Sequence, residues 1–280
     1  MKITNKYDLP QILVAALEND PYTRGDADIS VTQLIDGSQV RTLRVENPDR
    51  EVDVSDMIWA FFGQAVHSML ERIPEIEGVI KEERLFLEVG DKTISGQFDV
   101  IYEEDGKRTL ADYKVTSVWP VIYGKSDWEY QLNVLRYLWE KQGGAPIDRL
   151  EIIAFLRDWQ KSKVGENYPE IPLCAIEIPL WDMKVTERYI KMRLERHFSD
   201  EPYCSDSEKW KKEDVWALKK KGRKSAVKLF KDEKEADDAL EKFGTSDNWI
   251  EHRKGRFTRC EDYCDVQQWC EQFSKFVEQR

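Results

Sequence analysis

No run of eighteen apolar residues occurs anywhere in the 280-residue chain, which argues against a membrane-spanning helix and against a membrane partner. A secretory leader is lacking too. The opening stretch MKITNKYDLPQILVAALENDP is broken by proline and acids before an apolar core can form, so the expected location is the cytoplasm. Cysteine is missing from the first 173 residues and then appears at 174, 204, 260, 264 and 270. That lopsided placement argues against a disulfide framework; in a reducing cytoplasm, three cysteines within eleven residues more often bind metal than pair with one another. Positive charge is in overall deficit, and a net charge of -11 excludes a chain that coats nucleic acid indiscriminately. No internal repeat is visible.

What is present describes a folded globular protein: 41% hydrophobic, 35% charged, with ten tryptophans. A length of 280 residues can bury one substantial core plus an appendage but not two full-sized domains. Charge is unevenly spread. Between Lys209 and Lys231 stand ten Lys/Arg against two acids, about +8, which leaves about -19 for the remainder. A basic face is thus built into an acidic body.

Local patterning then suggests elements. Residues 28–45 are rich in β-branched residues and broken by Asp-Gly, which predicts a short extended segment. From Val54 to Arg72 the apolar Ile58, Phe62, Ala65 and Met69 recur at helical spacing, with Ser55 or Asp56 available as cap. KEERLFLEV, TISGQFDVIYE and RTLADYKVTS, separated by Gly-Asp and Asp-Gly turn signals, predict a β-meander. A helix over 127–141, a strand at LEIIAFLRDW and a helix over 181–198 follow. VWALKKKGRKSAVKLF reads as two strands around a Lys-Gly turn and DEKEADDALEKF as a helix, a small basic ββα module.

The chemistry sits on the meander. Asp99 ends one strand and Asp112-Tyr113-Lys114 ends a neighbouring one, so two carboxylates can converge on one ion. A hard cation such as Mg²⁺ wants oxygen ligands, which two carboxylates, a backbone carbonyl (that of Tyr113), phosphate oxygens and water supply. The period of two along a strand puts Asp112 and Lys114 on one face, where the ammonium can orient or deprotonate an attacking water and offset phosphate charge. Asp-x-Lys triplets also arise by chance as ordinary strand-end charges, so the triplet gains meaning only from its surroundings.

Those surroundings resemble the RecB-like branch of the PD-(D/E)xK nucleases in an ordered series of motifs from Ser30 to Tyr137. The series comprises S-x-T-x-L (Ser30 to Leu34), the helix GQAVHSMLE, the strand pair ERLFLEV and ISGQFDV, ADYKVTS, and YQLNVLRYL. The resemblance implies an α/β restriction-endonuclease-like core, a central mixed sheet flanked by helices, and Mg²⁺- or Mn²⁺-dependent phosphodiester hydrolysis. It also implies roles: His67 as the helix histidine near the metal, Asp99 and Asp112 as metal carboxylates, Lys114 as the catalytic lysine, and Gln131 as a contact to substrate phosphate or to that lysine. Glu82 or Glu83 would add a carboxylate, as in some relatives. The aromatic that the family places four residues after the glutamine is Leu135 here, with Tyr137 six after it. Independently, at about 100° per residue His67 falls opposite the Ile58, Phe62, Ala65, Met69 stripe, and Gly63 leaves room beside it.

RCEDYCDVQQWC forms a second constellation, with Cys204 the best fourth ligand and Cys174 the other choice. It resembles the C-terminal cysteine cluster of the RecB and AddB nucleases, which implies a 4Fe-4S cluster on Cys204, Cys260, Cys264 and Cys270. Those relatives draw a ligand from ahead of the helix histidine, where this chain has no cysteine. Four thiolates equally suit Zn²⁺, and buried free thiols are the third alternative. Lys219, Lys220, Lys221, Arg223 and Lys224, with Trp210 and Trp216 nearby, can track a phosphate backbone or form a merely solvated hairpin. The expected organisation is a nuclease core over 1–203, whose first fifty residues lead into it, and a cysteine-cluster region over 204–280 containing the basic module at about 211–245. The expected function is a DNA exonuclease in recombination, repair or phage DNA processing, acting on single strands or ends beside a recombination partner. A non-catalytic nucleic-acid-binding module that kept the fold is the other class.

Overall fold

Ser30 accepts a 3.2 Å hydrogen bond from the Gln33 amide, and the Gln33 side chain returns one of 3.1 Å from the Ser30 amide. This reciprocal cap starts a helix where β-branched residues predicted extended chain, because Val31 and Leu34 then share one buried face. The structure, a computed structural model, describes residues 1–18 and 25–278.

The chain is a mixed α/β protein of two units, Met1–Asp36 with Asp49–Pro202, and Gly37–Pro48 with Tyr203–Arg280. Its first part runs β1 (Lys2–Thr4), α1 (Gln11–Glu18), β2 (Ile29–Ser30), α2 (Val31–Ile35), α3 (Ser38–Glu46), β3 (Glu51–Asp53), α4 (Ile58–Glu71), β4 (Ile80–Lys81), β5 (Arg84–Val89), β6 (Lys92–Gln97) and β7 (Val100–Glu104). It continues through β8 (Lys107–Thr116), α5 (Trp119–Tyr123), α6 (Ser126–Lys141), β9 (Arg149–Leu156), β10 (Leu173–Ile178) and α7 (Met183–His197). Of these, α3 belongs to the second unit, so the leading fifty residues are divided between the two.

A five-stranded sheet in the order β10-β9-β8-β7-β4 carries the first unit, with β8 and β9 parallel and the other pairs antiparallel. A second sheet has the order β2-β6-β5. The predicted meander is therefore split: TISGQFDVIYE breaks at Phe98-Asp99, and its halves β6 and β7 join different sheets. Phe98 is fully buried, edge-on to Trp139, and that anchor turns the chain at the residue before β7. Leu132, Leu135 and Leu138 of α6 pack with Ile94, Leu110, Leu150 and Ile152, each leucine contributing about 2 kcal/mol by burial. Gly96 permits this: a Cβ there would stand 2.6 Å from Leu135 Cδ2 and 2.8 Å from Val31 Cγ2. The end of α2 is satisfied by buried Arg193 and His197 of α7, which contact the Leu34 carbonyl at 2.8 and 3.0 Å.

Helix α4 follows a 3-10 turn capped by Asp53, which accepts from the Ser55 amide at 3.1 Å; neither Ser55 nor Asp56 caps it as expected. Its apolar stripe also faces out. Phe62 and Met69 are exposed, while Phe61, Val66, His67 and Leu70 form the half-buried face against the body.

The second unit adds β11 (Lys211–Lys212), β12 (Val215–Lys220), β13 (Lys228–Phe230), α8 (Glu233–Phe243), β14 (Asn248–Arg253), β15 (Arg256–Phe257), α9 (Thr258–Asp262) and α10 (Glu271–Glu278). The basic module is larger than the expected 211–245, because β14 pairs with β12 along its whole length to give the sheet β13-β12-β14. Leu218, Phe230 and Ala236 make its small core. Among the described residues, no helix is long and apolar enough to cross a membrane.

Candidate functional site

The β7–β8 register pairs Val100 with Ala111, so the next positions outward are Asp99 and Asp112. Asp99 lies just ahead of β7, and Asp112 and Lys114 lie within β8 rather than at its end. The Tyr113 amide donates to Asp99 Oδ2 at 2.6 Å, so the Tyr113 backbone meets the site through its N–H. Asp112 and Lys114 share a strand face, and Lys114 Nζ stands 2.6 Å from Asp112 Oδ2. Gln131 of α6 donates to the other oxygen, Asp112 Oδ1, at 2.9 Å. Asp112 is only 2% exposed, and both its oxygens are engaged by neighbouring side chains.

A second set of donors closes on Asp99 from α4 and from the turn before β5. His67 Nδ1 is 3.3 Å from Asp99 Oδ1 and 4.0 Å from Glu82 Oε1. The ligand atoms of His67, Glu82 and Asp99 all lie within 4.8 Å of one another. Glu82 has a left-handed backbone, φ +46°, which is uncommon for a non-glycine residue and is held here by its amide donating to the Asp99 carbonyl at 3.0 Å. Gln97 donates to Glu82 Oε2 at 3.2 Å and accepts from Arg84 at 2.7 Å, which aims the carboxylate. Of the two glutamates weighed from the sequence, Glu82 joins the site and Glu83 is exposed. Gln97, Arg84 and Glu71, whose carboxylate contacts that of Glu82, escaped the sequence reading. Gln97 stands inside the ISGQFDV motif, but nothing in a linear pattern marks Glu71.

Charge is crowded at this point. Burial, the Glu71 carboxylate and Asp99 push Glu82 up to about 7. Burial pushes Asp112 up to about 6, with Asp99 adding to the rise and Lys114 opposing it. His67 is raised by its hydrogen bond to Asp99, against the lowering effect of burial. Glu82 with its raised affinity for a proton, converging with Asp99 and an imidazole, is what a cation site looks like before a cation replaces the proton. The donor set fits a divalent ion: two carboxylates suit Mg²⁺, and the imidazole makes Mn²⁺ the better match. Asp112 stands next to this trio but outside it, committed to Lys114 and Gln131. Tyr137 is absent from the site; it is buried in the core with the Lys141 ammonium 5.3 Å above its ring.

In the second unit Cys204, Cys260, Cys264 and Cys270 line one small cavity with Val40, Leu43 and Val266. Cys174 is elsewhere, on β10 against the core of the first unit. The Cys204 sulfur accepts from the Val40 amide and that of Cys264 from the Val266 amide. Gly37 makes the close approach possible, since a Cβ there would stand 2.6 Å from Cys204 Sγ. Burial pushes Cys204 up to about 12 and Cys260 up to about 11, while Lys209 and Arg259 line the same cavity and would offset thiolate charge. Arg44 of α3 pairs with Asp265 at 2.7 Å and ties the helix to the cysteine loop.

Of the basic residues, Lys220, Lys221, Arg223 and Lys224 are exposed. Lys219 is not the outward cation expected: its ammonium donates to the Lys224 carbonyl at 2.7 Å and faces Glu251 at 3.9 Å. Trp216 stacks on His252 with centroids 4.9 Å apart.

No family model and no curated protein matches the chain. Among solved structures, the crystal structure of SSO0001 is similar over 71% of this chain and 90% of that one, at 16% identity and a TM-score of 0.49.

Proposed function

We propose that the protein is a metal-dependent deoxyribonuclease of the PD-(D/E)xK superfamily, RecB-like branch, acting as an exonuclease on single strands or ends of DNA in recombination, repair or phage DNA processing. The observation that carries this reading is the meeting, at the β7–β8 register, of buried Asp112, paired with half-buried Lys114 2.6 Å away, with the His67, Glu82, Asp99 trio. His67, Glu82 and Asp99 would hold Mg²⁺ or Mn²⁺, with Asp112 adjacent, and the ion would supply an activated water and neutralise phosphate charge. Lys114 presents a fixed ammonium to the water and the scissile phosphate, its position set by Asp112. Gln131 keeps the second Asp112 oxygen occupied and so keeps that carboxylate in one orientation. The exposed Lys220, Lys221, Arg223 and Lys224 neutralise backbone phosphates without reading sequence.

The four grouped cysteines would hold a 4Fe-4S cluster that braces the second unit. Amide-to-sulfur hydrogen bonds at Cys204 and Cys264 suit thiolate ligands and so support a metal-bound cysteine set. Reduced thiols of this kind suit a cytoplasmic enzyme. The test is digestion of linear, circular and single-stranded DNA with Mg²⁺ or Mn²⁺ by wild type, Asp112→Ala and Lys114→Ala. Wild type should degrade linear substrates and spare circles while both variants fail; variants that cut as well as wild type overturn the assignment.

A further inference from the structure

Helix α5 is five residues long and two-faced. Val121 and Ile122 pack against the core, whereas Trp119 and Tyr123 point out, 54% and 78% exposed. Their rings lie 7° from parallel with centroids 5.9 Å apart. A third exposed aromatic, Trp59 at the start of α4, carries the Arg157 guanidinium 3.8 Å from its ring centroid. Both pairs hang on the end of the strand that bears Lys114. The Arg157 amide donates to the Thr116 carbonyl at 2.9 Å, and the Val118 amide donates to Asp158 at 2.8 Å, so the end of β9, the end of β8 and the start of α5 are stitched together. Lys161 and Lys163, just beyond Arg157, are also exposed.

Scattered exposed aromatics need no explanation, but a stacked Trp–Tyr pair just beyond one strand end, with a further tryptophan joined to the same strand end through Arg157 and exposed lysines nearby, has a specific chemistry. Flat π-faces accept nucleobases, and the flanking guanidinium and ammonium groups accept phosphates. Bases inside a duplex already stack on each other and cannot reach such faces. We propose that Trp119, Tyr123 and the Arg157-braced Trp59 form a stacking shelf for unpaired nucleobases, which delivers single-stranded DNA to the metal centre. The delivery rests on the nuclease reading; the binding does not.

The test measures anisotropy of a labelled oligothymidylate and of a blunt duplex of the same length, in EDTA so that no cleavage intervenes. Wild type should prefer the single strand. Trp119→Ala/Tyr123→Ala should weaken single-strand binding roughly ten-fold or more and leave the duplex nearly unchanged, with Trp59→Ala acting in the same direction. Trp119→Phe, which keeps a ring and the packing of α5, should recover most of the affinity and so separates stacking from misfolding. Equal losses on both substrates, no loss on either, or a wild-type preference for duplex overturns the shelf. A wild type that binds strands through these residues but never cuts them with Mg²⁺ or Mn²⁺ defeats the nuclease reading alone. One that cuts while the variants bind normally defeats the shelf alone.

Discussion

The amide of Tyr113, in the middle of β8, donates a 2.6 Å hydrogen bond to Asp99 Oδ2, one residue ahead of β7. That single contact fixes the carboxylate that His67 approaches from α4 and whose carbonyl the Glu82 amide holds, so three chain segments are registered through one residue.

Asp112→Asn separates function from stability. The carboxylate is buried and its proton affinity is raised to about 6, so at neutral pH the folded protein carries an unfavourable buried charge. The neutral amide should raise the melting temperature of metal-free protein while abolishing cleavage by about 100-fold or more. Calorimetry alongside the digestion assay checks both; a variant that melts earlier contradicts the charge argument.

His67→Ala should weaken Mn²⁺ binding more than Mg²⁺ binding, because the imidazole is the one nitrogen donor in the trio and suits the softer ion. Glu82→Gln should weaken both. Titration calorimetry of the two ions against each variant reads the difference directly.

Stability should fall as pH rises from about 4 to about 7 in metal-free protein. Glu82 at about 7 and Asp112 at about 6 bind protons more tightly when folded than when unfolded, and His67 is raised too, so folding takes up protons across this window. A bound cation replaces those protons, and the thermal shift it produces should therefore grow over the same window. Melting curves in EDTA and in Mn²⁺ between these limits test the sign; a metal shift that shrinks with rising pH refutes it.

If the proposed cluster is held there, Cys204→Ser should abolish its binding and destabilise the second unit, whereas Cys174→Ser should leave metal content unchanged, since Cys174 packs in the first unit. Iron and zinc analysis with the absorbance near the blue-violet edge distinguishes the cluster from zinc.

Gly96→Ala should cost about 1–3 kcal/mol, because the new methyl would meet Leu135 and Val31 at under 3 Å in a packed core. Chemical denaturation measures this, and a neutral result would mean that α2 and α6 shift more easily than their packing implies.

Much of the site was legible before any coordinates. The period of two placed Asp112 and Lys114 on one face, and helical periodicity put His67 opposite the Ile58, Phe62, Ala65, Met69 stripe. The same periodicity does not give the direction: Phe62, Ala65 and Met69 of that stripe face outward and Ile58 is half-buried, because α4 turns its histidine face, not its most apolar face, toward β8. Residues 28–45 are extended only at Ile29–Ser30, for a different reason. Their β-branched composition favours strands, but the Ser30–Gln33 cap and the buried Val31, Leu34, Val40 and Leu43 outweigh it.

By itself the sequence determined which side chains were available and which near neighbours share a face, because strand and helix periods are local properties of the backbone. It also restricted the cysteine ligands to a late segment of the chain. Only the tertiary structure decided that Glu82 rather than Glu83 reaches Asp99, that Cys204 rather than Cys174 joins the cysteine cavity, and that Lys219 folds back on its own hairpin. Those choices depend on contacts between distant segments, where a single residue's offset or one backbone φ redirects a side chain, and no local pattern carries that information.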